Sequence, residues 1–476
     1  MISGANEGRS RRLLALLLVA LLGLSATACG RSSEEEAGSA DDEEEPSGEG
    51  GTDPGNGDGG SDRLAAGEFG DLGVVCQDGD ASGATDTGVT DDEIRVGTIT
   101  NKGADVRPGL NQEMYDSAVA FSEWCNEHGG INGREIVVDD LDAKLSDYGQ
   151  RVSEACEGTF ALVGGGAIFD NNDAGARAEC GLANIPGFVV TPQARVGELQ
   201  VQPLPNPVYS FAVQSYRSMQ RMHPDATKYG ILWVDLEGVK TVYEQVRESV
   251  EAVGFDVVYD ATYAPVNETG WRGFIQSMKE EGVQGFELVG EPENMTALLN
   301  AMQTEGWYPE FIVMQANMYD QKFEDEAKAA AGPNVYARLA FPMFDMDGDD
   351  YPGMGDYQAL MEQNRPDGKY PALLGAQAMS AMLLFATAAS ECGSDLTRAC
   401  LLENAGAQTD WTAGGIHSPT SPGNSQAPEC GIIVQFTTDG FVYNEEATDP
   451  NDGVFNCSPD NVLELQGDYG VPRPTE

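Results

Sequence analysis

Through the middle of the chain, short apolar runs alternate with longer stretches in which apolar positions recur every three or four residues. Residues 93–100 (EIRVGTIT) read as a strand. Residues 111–127 follow as an amphipathic helix with Met114, Ala118, Phe121 and Cys125 on one face, stopped by the pair Gly129-Gly130, which supplies a left-handed cap. Residues 135–138 are the next strand and 160–163 another, the latter running into Gly164-Gly165-Gly166. The unit recurs downstream. Strand 229–234 precedes a helix at 239–252 and strand 256–259; strand 286–289 precedes a helix at 294–305 and strand 311–314. Strand–helix alternation of this kind builds parallel sheets covered by helices, so the fold class is α/β. The body after residue 90 is too long for one core and divides into two domains.

The first residues follow a different pattern. Arg9, Arg11 and Arg12 precede the apolar run 13–24 and then small residues up to Ala28-Cys29, the order of a secretory signal. The apolar run is shorter than the roughly 20 residues a spanning helix needs. Residues 30–73 are mostly Glu, Asp, Gly and Ser, a composition expected to stay solvated and self-repelling, a tether that gives a folded body reach.

Charge narrows the partners. The formal net charge is −51. The signal contributes +2 and the tether about −12, which leaves about −41 on the body. A surface so negative repels phosphates and argues against nucleic acid. Apart from Cys29, eight cysteines remain, an even number that suits disulfides in an exported chain, although 105 pairings are possible. Spacing favours Cys392 with Cys400 as a local staple, then Cys156 with Cys180 and Cys430 with Cys457, leaving Cys76 with Cys125. There is no CxxC spacing to suggest zinc or redox chemistry. His128, His223 and His417 stand apart, and no HExxH, GxSxG or GKS/T string supports an enzyme or a cofactor.

Two resemblances follow from these residues. Leu24-Ser25-Ala26-Thr27-Ala28-Cys29 resembles a bacterial lipobox, with Ala26 where Leu or Val is commoner; it implies a signal peptide over residues 1–28 and acylation of Cys29 at the head of an acidic tether, 29–73. The segment Asn126-Glu127-His128-Gly129-Gly130-Ile131-Asn132-Gly133-Arg134-Glu135-Ile136 resembles the GGINGR signature of the Leu/Ile/Val-binding family, the type I periplasmic binding proteins of ABC transporters. Val163–Gly166, Gly187–Pro192 and Ala331–Val335 sit where that family's pattern expects them. The resemblance implies a type I periplasmic-binding-protein fold of two Rossmann-like lobes joined by three crossover strands. Lobe one is expected over 90–212 and 341–414, lobe two over 213–340 and 415–460.

It further implies a monomeric extracytoplasmic lipoprotein of a bacterial membrane. Such a protein captures a small polar molecule (an amino acid, amide or related compound) by hinge closure and delivers it to an ABC permease. The alternative is a sensor of the same fold reporting to a membrane signalling partner; no apolar span follows the body, which favours transport or a separate partner over a built-in receptor. Ligands of open α/β sheets bind at the carboxyl ends of strands. The loop after Val163 is therefore the first candidate, with Phe169, Asp170 and Asn171. Relatives place hydroxyls and helix amides there for a ligand carboxylate. Asp170 would repel such a group, which tilts the ligand towards an amide, amine or hydroxyl; alternatively Asp170 N-caps its helix. Gln193 and Ala194, Tyr216, Asp235 and Glu237, Glu291, Asn317 and Tyr319 follow other strands, and Gln377 is a polar residue on an apolar helix.

Overall fold

The computed structural model describes residues 59–173, 175–346, 348–424 and 426–473. The signal, Cys29 and most of the tether lie outside the described residues. The strands run in the order β1 (Glu93–Thr100), β2 (Glu135–Asp142), β3 (Ala161–Val163), β4 (Ala183–Ile185), β5 (Ser210–Ala212), β6 (Lys228–Val234), β7 (Asp256–Tyr263), β8 (Gly285–Val289), β9 (Phe311–Met314), β10 (Val335–Leu339), β11 (Cys430–Thr437), β12 (Gly440–Tyr443), β13 (Asn456–Cys457) and β14 (Val462–Glu464). They fall into two main sheets. The first has the order β2-β1-β3-β4, all parallel. The second runs β12-β11-β10-β9-β8-β6-β7, parallel from β10 to β7 and antiparallel where β11 and β12 close the edge.

Each sheet is apolar on both faces because helices cover both, as parallel sheets require. In the first lobe, Ile94, Val96 and Val163 pack with the helices Gln112–Glu127 and Leu373–Cys392, while Ile99, Leu141 and Leu162 pack with Val152 and Ala155 on the other side. The helix Leu373–Cys392 is long and apolar enough to cross a membrane, but here it is core, with Met379, Leu383 and Phe385 fully buried. In the second lobe, Phe286, Leu288 and Ile312 face one helix layer, while Tyr229, Ile231 and Val313 face the helices Gln214–Met222 and Glu237–Val253.

The chain passes between the sheets three times: from β4 through β5 to β6, from β10 to the helix Leu373–Cys392, and from the helix Arg398–Ala407 to β11. Hydrogen bonds tie these passages together. Ser418 N donates to Ala340 O, Ala427 N donates to Ser210 Oγ, and β14 returns to pair with β5.

The GGINGR segment does local structural work. Gly129 and Gly130 take φ of 95° and 70° to end their helix, and Asn132 and Gly133 take 53° and 91° to turn into β2. Arg134 is 1 % exposed and donates to the carbonyls of Thr90, Gly83 and Gly393. The three cysteine pairs favoured by spacing, Cys156–Cys180, Cys392–Cys400 and Cys430–Cys457, are disulfides, and so is the remaining pair, Cys76–Cys125.

One expectation is corrected. The tether does not extend to Gly73, because residues 59–73 fold onto the first lobe. Leu64 and Phe69 are buried beside Trp124, whose indole N–H donates to Leu64 O, and Arg63 pairs with the buried Asp356 at 2.9 Å. Two apolar anchors and one ion pair outweigh the acidic, glycine-rich composition around them.

Candidate ligand-binding cleft

A cleft of about 600 Å³ opens between the two sheets at the carboxyl ends of their strands, within the range of small-molecule sites. Its walls are apolar: Ile168, Phe188, Leu373 and Leu374 come from the first lobe, Val239, Val242, Val313 and Met314 from the second, and Leu204, Pro205 and Phe211 from the connecting passages. Polar groups gather at its two ends.

At the outer rim, charges pair across the lobes. Arg107, ahead of the helix Gln112–Glu127, donates to Glu291 and sits 3.0 Å from Glu293 Oε1 at the start of the helix Pro292–Glu305. Lys369 bridges Glu113 of the first lobe at 3.3 Å and Asp320 of the second at 3.0 Å. Burial opposes the lysine charge, but Glu113 and Asp320 outweigh it and raise its pKa. The Glu113 carboxyl is itself pushed up by burial, with Lys369 pulling against that. A third bridge lies deeper, where Arg195 Nη1 donates to Gln245 Oε1 at 2.7 Å.

At the hinge end, the ionisable groups belong to the second sheet. Glu287 on β8 is 2 % exposed and accepts a hydrogen bond from the Tyr216 hydroxyl at 2.7 Å; burial pushes its carboxyl up to about 7. Arg338 on β10 donates through Nη2 to the carbonyls of Pro428 and Cys430, each at 3.0 Å, and burial lowers its pKa to about 10. Several buried polar atoms on the lining have no partner within the described residues: Glu113 Oε2, Asn317 Oδ1, Gln377 Oε1, Thr296 Oγ1 and Arg338 Nε. Such groups are costly to leave unpaired, so they mark where a bound molecule gains most.

Of the residues expected at the site, Tyr216, Glu291, Asn317, Tyr319 and Gln377 line the cleft. Asn317 Nδ2 donates to Gly290 O, which leaves its oxygen for the cavity, while the Tyr319 ring stacks on Phe344 and its hydroxyl accepts from Phe344 N. The others stand elsewhere. Asp170 opens the short 3-10 helix Asp170–Asp173; it is 2 % exposed and accepts from Val190 N at 2.7 Å, Thr191 N at 3.0 Å and Thr191 Oγ1 at 2.5 Å, holding the wall behind the cleft. Phe169 and Ala194 are half-buried off the cleft lining, and Asn171, Gln193, Asp235 and Glu237 face solvent.

Sequence reasoning missed Arg107, Glu113, Asp320, Lys369, Glu287 and Arg338. For the last two a signal existed, a lone charge inside an otherwise apolar strand, GFELV and VYARL.

Another polar constellation, Ser380 with His417, lies in the first-lobe core. His417 Nδ1 donates to Ser418 O, so Nε2 accepts from the Ser380 hydroxyl at 2.8 Å. Burial holds the imidazole neutral, with its pKa near 4. Both residues are at most 2 % exposed and away from the cleft lining, so they brace packing. Among the described residues, no cluster of three or more His, Cys, Asp or Glu could hold a metal ion.

Two helix-covered sheets, a threefold connection and a cleft bridged by groups from both sides define a two-lobed solute-binding protein. The chain belongs to the periplasmic binding protein family, whose sequence model matches residues 93–440. That is a family of extracytoplasmic binding proteins. No curated protein sequence matches the chain. Among solved structures, it is similar to a fatty acid ABC transporter substrate-binding protein from Thermomonospora curvata (TM-score 0.63, 15 % identity, 79 % of this chain and 97 % of that one). It is also similar to the leucine-binding protein LivK from Thermotoga maritima (TM-score 0.61, 12 % identity, 77 % and 99 %). A third is the branched-chain amino acid transporter protein LivJ from Streptococcus pneumoniae in complex with isoleucine (TM-score 0.60, 15 % identity, 74 % and 100 %).

Proposed function

We propose that the protein is a lipid-anchored receptor that captures a small organic solute, an amino acid, amide or related compound, between its lobes and passes it to an ABC importer. The observation that supports this best is the cleft itself. Apolar walls lead to polar groups at both ends, and unpaired buried atoms from both lobes (Glu113 Oε2 and Gln377 Oε1, Asn317 Oδ1 and Arg338 Nε) lie on one lining. A solute touching both lobes stabilises the closed arrangement over the open one, and that difference is the signal an importer can read. The chemistry asked of the protein is binding alone. The lobes divide near residues 212, 340 and 414, and Cys29 provides the membrane end of the acidic tether.

The test is a thermal-shift screen of the mature protein against amino acids, their amides and short organic acids, followed by solution scattering with each hit. A binder is expected to raise the melting temperature and reduce the radius of gyration. Failure of every compound class to bind, or binding without compaction, would overturn the reading. In cells, Cys29→Ala is expected to move the protein from the membrane fraction to the medium or periplasm.

A further inference from the structure

Among the cationic residues that line the cleft, Arg195 and Arg338 form no ion pair with the described residues; Arg195 spends Nε and Nη1 on Val190 O and Gln245 Oε1, whereas Arg338 Nε is left unpartnered. Arg107 and Lys369 at the rim each face two carboxylates. Arg338 forms no ion pair among the described residues, although the chain has 78 acidic side chains to draw on. Its orientation is set by backbone instead. Nη2 is held by the carbonyls of Pro428 and Cys430, and the guanidinium lies across Gly431, where a Cβ would come within 2.9 Å of Nε and 3.1 Å of Cζ. Nε is buried without a partner. Nη2 spends its protons on those carbonyls, so the donors left for an oxoanion are on Nε and Nη1, each able to give a single charge-assisted hydrogen bond.

We propose that the hinge end of the cleft is a carboxylate-binding subsite centred on Arg338, and that the captured solute is an amphipathic carboxylic acid lying with its acid group innermost. This rests on the reading of the cleft as the capture site. Gln315 follows β9 at the level of Arg338, since Met314 pairs with Ala337, and it lines the same end with Ser215. Leu204, Pro205, Phe211, Val239 and Val242 then offer the apolar surface on which the rest of the molecule is buried. Glu287 also lies at this end. It is occupied by the Tyr216 hydroxyl, and burial pushes its carboxyl up to about 7, a direction that lessens its repulsion of an incoming anion.

The experiment compares matched pairs: leucine with leucinamide, phenylacetate with phenylacetamide, and octanoate with octanamide. Each is titrated calorimetrically into the wild-type protein, Arg338→Met and Arg338→Lys. At least one carboxylate is expected to bind wild type more tightly than its amide. Arg338→Met is expected to weaken it on the order of 100-fold, the scale for losing one partner of a desolvated charge pair, and Arg338→Lys by less. Amides that bind as well as the acids overturn the subsite while leaving solute capture standing, and that comparison needs only wild-type protein. An Arg338→Met protein that melts lower but keeps full affinity for the acid makes Arg338 a strut of the hinge, which also overturns it. No binding by any pair overturns the inference, and for these solute classes it counts against the capture reading too.

Discussion

Two ionisable groups flank the cleft, Asp170 buried and Arg338 half-buried, and they are used in opposite ways. Asp170, in the first lobe, receives three hydrogen bonds from Val190 and Thr191, one of them from a side-chain hydroxyl. Arg338, at the hinge end of the second, gives only part of its donor capacity to two carbonyls. Both are ionisable groups beside the carboxyl ends of strands, where ligands of α/β sheets bind. What separates them is how much hydrogen-bonding capacity the protein itself consumes. A charge satisfied by its own chain is a structural fastening. A charge with capacity left over is a place where a second molecule is favoured.

The largest test of this contrast is Asp170→Ala. It removes a carboxylate and strands three donors in a site that is 2 % exposed. Losing hydrogen bonds to a buried charged acceptor costs about 4 kcal/mol here, since each is worth roughly 1.5–3 and part is recovered by relaxation. Urea unfolding is expected to show that loss in the midpoint. Asp170→Asn, which retains one acceptor oxygen, is expected to recover about half. Wild-type stability in Asp170→Ala, with solute binding abolished, would make Asp170 a ligand residue and erase the contrast.

Much of the scaffold was legible before the structure. The strand expected at 93–100 is Glu93–Thr100, and the helix expected at 294–305 sits within Pro292–Glu305, because periodicity reports which residues face a core. Three cysteine pairs followed from spacing, since their partners sit close in sequence, and Cys76 with Cys125 followed only as the remainder. The site was less legible. Periodicity locates the loop after a strand but not which way its side chains turn: Asp235 and Glu237 follow β6 and face solvent, whereas Glu291 follows β8 and meets Arg107. Lys369 lies between two helices remote in sequence from the acids it bridges, so no strand-end rule finds it. Residues 59–73 were misjudged because composition averages over a segment, while docking depended on single anchors such as Phe69.

A second test concerns Glu287, which shares the hinge end with Arg338. Burial raises its carboxyl from an ordinary 4.5 to about 7 in the folded protein. Between those values the folded state holds a proton that the unfolded chain has released, so stability is greatest below the lower value and falls as pH rises to the upper one. The window spans a contribution of roughly 3 kcal/mol. Glu287→Gln, which keeps the shape and an acceptor for Tyr216, is expected to flatten this part of the pH profile and to exceed wild type in stability at pH 8. Parallel pH profiles for the two proteins would show that Glu287 is charged throughout, and its repulsion of an innermost carboxylate would then have to be reckoned with.

The smallest effect belongs to the rim, where charges are paired and partly exposed. Arg107 reaches Glu291 and Glu293 across the cleft mouth, with side chains 30 %, 39 % and 43 % exposed. Solvent screening limits such contacts to about 1 kcal/mol, equivalent to roughly a five-fold change in the open–closed ratio. If the lobes close by a hinge as proposed, these pairs favour the closed arrangement, so Arg107→Ala is expected to enlarge the solute-free protein in solution scattering and to weaken solute binding by that factor. High salt is expected to carry wild type most of the way to the variant, since exposed pairs are screened. Arg338 is expected to differ in both respects: its replacement should leave the solute-free shape unchanged and remove affinity for a carboxylate rather than for solutes in general. If Arg107→Ala instead discriminated acid from amide, the anion-recognising charge would sit at the rim, and the division of labour between the two ends of the cleft would be reversed.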